Sequence, residues 1–139
     1  MSLTVDQQSL SYRIVRRIAR LFGYGFISTY DFGSTWSSTL VEANFVWPFM
    51  IHINEYGDWC VSNLAGFRVT MRSLEIGYRR DAIILAMRIR DHLTVDECRS
   101  IAYCTSVMKL SVDTRMTITG EMKRFREMLE ATNEHGKAN

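Results

Sequence analysis

Between Leu10 and Phe22 the chain reads LSYRIVRRIARLF, and Ile14, Val15, Ile18, Leu21 and Phe22 recur at helical spacing. Arg13, Arg16, Arg17 and Arg20 fill the other side of the same turns. The pattern predicts an amphipathic helix over about 5–22, opened by a capping box at Thr4 and Gln7 and closed by Gly23 and Gly25. With its apolar side sunk in the interior, the four guanidinium groups would stand outward as one cationic ridge.

The period then changes from helical to alternating. Residues 26–44, rich in Ser, Thr and aromatics, suit extended structure with a turn near 31–34. Further on, Asn54-Glu-Tyr-Gly57 and Asn63-Leu-Ala-Gly66 each carry Asn first and Gly fourth, a type I turn signature. Read as three-residue hairpin loops ending on a left-handed glycine, they pair Asn54 with Asp58 and Asn63 with Phe67. That register gathers Phe49, Ile51, Ile53, Trp59, Val61, Phe67, Val69 and Met71 on one face. The other face collects Met50, His52, Asn54, Asp58, Cys60, Ser62, Arg68, Thr70 and Arg72, and a slip of one residue would mix the two sets. A three-stranded antiparallel meander over about 45–73 follows, with one buried and one wet face, open to extension by strands from 26–44.

The rest is helical. Residues 78–93 carry a broad apolar surface that Ile84 and Met87 make nearly continuous, which predicts a well-covered helix. Thr94-Val-Asp-Glu97 is a capping box opening a helix to about Leu110, and a last helix spans about 119–133 before a tail that frays from about 134. An apolar sheet face and several apolar helix stripes must cover each other. The expected fold is therefore a single α+β domain over 1–139, a small antiparallel sheet covered by an N-terminal helix and two to three C-terminal helices.

Charge narrows the function classes. Seventeen basic against fifteen acidic side chains leave +2 on 139 residues, well short of the excess that marks a nucleic-acid binder by composition. Three cysteines match no zinc or redox spacing, and no apolar run approaches the length of a membrane span. A reduced, cytoplasmic protein with no membrane partner is the expectation.

Little points at catalysis. His52 and Cys60 would sit opposite each other on the polar sheet face beside Asp58 and Arg72, the minimum for an activated thiolate, with no evident oxyanion hole. His92 and His135 are dispersed, so neither a metal nor a cofactor is expected, and no phosphate loop or G-x-S-x-G elbow occurs. Arg68, Arg72, Arg79 and Arg80 form a second basic group, with Asp58, Glu75 and Asp81 near enough to neutralise it. Tyr30, Phe32, Trp36, Phe45 and Trp47 concentrate aromatics that serve either the core or an interface.

The stretch Trp59-Cys-Val-Ser62-Asn63-Leu-Ala-Gly66-Phe67 resembles an aromatic, Ser-Asn-Gly-Gly-Phe segment of the ArdB/KlcA antirestriction proteins of mobile elements. The likeness covers nine residues; the Trp-to-Ser spacing is shorter here and an extra residue separates the glycines, so no functional residue is carried over. It implies inhibition of a host defence complex as one form of protein binding. The leading expectation is a non-enzymatic adaptor or inhibitor that engages a protein or nucleoprotein complex through Arg13, Arg16, Arg17 and Arg20. Nucleic-acid binding through the same arginines is the alternative, and a Cys/His-dependent enzyme the distant one.

Overall fold

The hairpin signalled by the first Asn-to-Gly turn organises the computed structural model, which describes residues 2–3, 10–31, 35–69, 74–104 and 109–138. Strands β1 (Ser2–Leu3), β2 (Tyr24–Asp31), β3 (Thr35–Glu42), β4 (Asn44–Val46), β5 (Phe49–Ile53) and β6 (Trp59–Asn63) form two antiparallel sheets, ordered β1-β3-β2 and β4-β5-β6. β5 and β6 pair in the expected register, with Ile53 opposite Trp59 and His52 opposite Cys60. Asn54 closes their loop by accepting the Tyr56 and Asp58 amides on Oδ1 at 2.9 and 3.0 Å. In the second turn Asn63 Oδ1 accepts from the Phe67 amide at 2.9 Å. Gly57 and Gly66 take the left-handed conformations that these turns need, with φ of +85° and +90°.

The third strand differs from expectation. Beyond Phe67 the predicted pairing shrinks to a bridge between Ser62 and Arg68 and one bond from the Val69 amide to the Val61 carbonyl. Residues 70–73, including Met71 and Arg72, lie outside the described residues. The sheet is completed from the other side by β4, which precedes β5 across a turn at the cis Trp47–Pro48 bond. Segment 26–44 forms the expected hairpin, Ser28 opposite Ser38, but in a sheet of its own rather than as an extension of the meander. Its turn at 32–34 and the cap residues Thr4 and Gln7 fall outside the described residues.

One apolar core forms against the Phe49, Ile51, Val61 and Val69 side of β5 and β6. Helix α2 (Arg79–Asp91) contributes Ala82, Leu85, Ala86 and Ile89, α3 (Val95–Ala102) contributes Ile101, and α4 (Val112–Ala138) contributes Ile118, Met122 and Phe125. α3 starts on the predicted capping box, Thr94 and Glu97 each accepting the other's backbone amide. It ends at Ala102 rather than Leu110, because Asn63 Nδ2 captures the Cys104 carbonyl at 2.9 Å and holds the chain off the helical path. Ser111 Oγ then accepts the Thr114 amide at 3.2 Å and starts α4 well before Thr119. Ile84 and Met87 are exposed, so α2 is covered on one side only.

The middle of the polar sheet face is not wet. Met50, His52, Cys60 and Ser62 are all buried. Gly25 of β2 lies so close over Met50 that a β-carbon there would overlap its sulfur. Ser28 adds a bond from its amide to the Gly66 carbonyl at 2.9 Å and one from its hydroxyl to the Ala65 carbonyl at 3.2 Å. Small residues let the first sheet approach, and the polar side chains beneath satisfy one another instead of water.

Candidate functional site

Helix α1 (Leu10–Leu21) runs into β2 through a closed end: Phe22 and Gly23 donate to the Ala19 and Arg20 carbonyls, and the Gly23 carbonyl accepts from Ala43. At about 100° per residue its apolar side chains from Ile14 to Phe22 sweep an arc of roughly 120°, with the arginines on a separate arc. The helix is thus as amphipathic as its sequence demands. Its orientation is the reverse of the expected one.

Ile14, Val15, Ile18, Leu21 and Phe22 are 50, 48, 50, 81 and 75 % exposed. The half-buried positions are Arg16, Ala19 and Arg20, which belong to the opposite side. The Arg16 guanidinium lies 5.6 Å from the centroid of the Tyr103 ring, at the end of α3. Arg13 and Arg17 are exposed, and among the described residues no carboxylate forms an ion pair with them. The expected ridge of four outward guanidinium groups is therefore split into two exposed arginines and two that lean on the body. The cause lies in the rest of the fold: α2, α3 and α4 already cover the apolar sheet face, and no described α1 residue enters that core. Ala19 is small enough to let the arginine side rest on the body.

The members of the second arginine group that the structure describes are all exposed. Arg68 is exposed, Arg72 lies outside the described residues, and Arg79 and Arg80 border different hollows. Arg79 shares its hollow with Phe22, Tyr24, Glu42 and Trp59, which joins it to the end of α1. Arg80 stacks on Tyr78 at 5.3 Å and lines a hollow of about 360 Å³ with Glu75, Asp81, Arg126 and Glu130, so two of the three expected acidic neighbours border it and Asp58 does not. Of the aromatic segment, Phe45 is half-buried and Trp47 exposed, while the side chains of Tyr30, Phe32 and Trp36 are outside the described set.

His52 and Cys60 do meet across the strands, but the ring is only 1 % exposed. Its Nε2 lies 2.7 Å from Ser62 Oγ and its Nδ1 3.3 Å from the Ile53 carbonyl. Burial pushes the His52 pKa down, against the Ile53 bond, and the nearby Arg68 charge adds to the fall. A neutral ring donating from Nδ1 and accepting the Ser62 hydroxyl at Nε2 satisfies both nitrogens. This is the geometry of a core histidine, and Cys60 opposite it is buried as well. Among the described residues no three His, Cys, Asp or Glu side chains gather as a metal site.

One cluster around a buried carboxylate escaped the sequence. Glu121 on α4 accepts from His92 Nε2 at 2.8 Å and Arg124 Nη2 at 2.9 Å, with Arg88 4.0 Å away. Burial raises its pKa, yet the bonds from Arg124 and His92 outweigh that and hold it below the usual carboxylate range. Glu121 and Arg124 have helical spacing, whereas His92 becomes visible only once α2 and α4 are packed. The cluster ties the end of α2 to α4.

Comparison of the chain with known protein families, with curated proteins and with solved structures found no match. Among the described residues no helix is long and apolar enough to cross a membrane.

Proposed function

We propose that this protein is a non-enzymatic binding module, an adaptor or inhibitor, that engages a negatively charged surface of a larger assembly through α1. The exposed apolar stripe of α1, bordered by Arg17 and Arg13, is the observation that supports it. Apolar area left in water forgoes about 25 cal/mol per Å², and a contiguous exposed stripe on a stable domain marks an interaction surface. Arginine adds direction and encounter rate, because it meets carboxylates and phosphates with a planar fork of donors.

Nucleic-acid binding ranks second, since phosphate contact uses the arginines and leaves the stripe idle. Burial of the His52/Cys60 pair weighs against the Cys/His-dependent enzyme.

The test is affinity capture from native lysate, with and without nuclease, comparing wild type with Arg13→Ser/Arg17→Ser and Leu21→Ser/Phe22→Ser. Loss of captured material in both variants is the expected result. Retention in both overturns the proposal, and loss confined to the arginine variant and to nuclease treatment transfers it to nucleic acid.

A further inference from the structure

The apolar stripe of α1 and its own body lie on opposite sides of the same helix. Arg16, Ala19 and Arg20 are half-buried on the body side, while Ile14, Val15, Ile18, Leu21 and Phe22 form an exposed apolar face on the other. A groove that clasps a helix around most of its girth cannot close on one whose back is occupied. A flat surface can reach the whole stripe at once.

Charge removes another occupant. No acidic residue occurs between residues 7 and 30, so two copies meeting stripe to stripe would bring their arginines together with no carboxylate on either helix to offset them. The complementary surface is extended, anionic and apolar beneath its charges. A strongly segregated helix with arginine as its polar element and Ile, Leu and Phe as its apolar one has the composition of helices that lie in a membrane interface.

Resting on the α1 reading above, we infer that the surface is an anionic lipid bilayer, on which α1 lies flat with Ile14, Ile18, Leu21 and Phe22 at the acyl-chain boundary and the exposed Arg13 and Arg17 on lipid phosphates. Leu21 and Phe22, the most exposed of the five, enter deepest. Beside Phe22 the hollow lined by Tyr24, Trp59 and Arg79 adds amphipathic rings and a further cation, partly offset by Glu42. Arg17 and, beyond it, Arg13 border one side of the stripe and extend to the headgroups along their apolar stems. The expectation of no membrane partner rested on the lack of a spanning run; a twelve-residue helix in the plane of the interface needs none.

The experiment is co-sedimentation of the full chain with vesicles of phosphatidylcholine alone and of phosphatidylcholine and phosphatidylserine in equal parts, at low and high salt. Wild type is expected to sediment with the anionic vesicles, to be released by salt, and to stay in solution with the neutral ones. Arg13→Ser and Arg17→Ser should each weaken partition by roughly fivefold, the loss expected for one basic side chain at such a surface. Leu21→Ser/Phe22→Ser changes only exposed side chains, so an unchanged circular dichroism spectrum is expected alongside lost binding. Absence of wild type from the anionic pellet, or equal sedimentation of wild type and the Leu21/Phe22 variant, overturns the lipid assignment. Self-association that the same variant abolishes also overturns it, in favour of a second copy. If vesicles fail while lysate capture still depends on Leu21 and Phe22, the lipid assignment falls and the binding module stands, with a protein as its partner.

Discussion

The Arg16 guanidinium lies over the Tyr103 ring, 5.6 Å from its centroid, and so joins the polar side of α1 to the end of α3. This contact belongs to the side of the helix that faces the body, and it leaves the apolar stripe outward. Removing the ring by Tyr103→Ala should cost about 0.5–1 kcal/mol, the worth of an exposed cation–π pair. Amide exchange in α1 should quicken while α2 and α4 keep their protection. Unaltered exchange in α1 would show that other contacts hold it.

Two glycines separate backbone strain from crowding. Gly57 and Gly66 share a left-handed φ, but a β-carbon on Gly57 meets nothing within 4 Å, whereas one on Gly66 would stand 2.5 Å from the Phe26 carbonyl oxygen. Gly57→Ala should lose about 1 kcal/mol from conformation alone. Gly66→Ala should lose at least about 3 kcal/mol, because the β2 backbone must also move. Urea denaturation of both variants checks the order.

His52 makes stability depend on pH near neutrality. Its folded pKa is lowered from the ordinary value of about 6.5, so the unfolded chain binds the extra proton first. Stability should be fullest above that value and fall as the pH drops below it. His52→Gln keeps an acceptor near Ser62 and should flatten the slope below about pH 6.5. Denaturant midpoints across that window measure it; a wild-type curve as flat as the variant's would contradict the neutral ring.

Glu121 acts at lower pH with its own sign. Because its folded pKa is depressed, its contribution is present above the unfolded value and is lost as the pH falls through the folded one. Glu121→Ala should cost about 1–2 kcal/mol, below the figure for a fully buried pair, because His92, Arg88 and Arg124 are each about half exposed. The loss should be absent in denaturation curves taken at acid pH.

Local chemistry was legible in the residues themselves. Asn54 and Asn63 with their glycines specified two turns and the register around them, and Thr94 with Glu97 specified the start of α3. What failed depends on contacts between distant segments. The end of α3 is set by Asn63 reaching Cys104, the burial of His52 by a second sheet settling on Met50, and the Glu121 cluster by the packing of α2 on α4. For α1 the period gave the two sides and could not say which faced inward. Helical periodicity reports segregation of side chains, while direction depends on whether any apolar surface remains uncovered.

The outward stripe of α1 is tested most directly by thiol accessibility. Ile18→Cys and Leu21→Cys, each made with Cys104→Ser, should alkylate in the native protein as fast as Arg17→Cys, while buried Cys60 and Cys98 stay protected. Protection of Ile18→Cys and Leu21→Cys equal to that of Cys60, with Arg17→Cys still reactive, would contradict the outward stripe and place the apolar side of α1 in the interior.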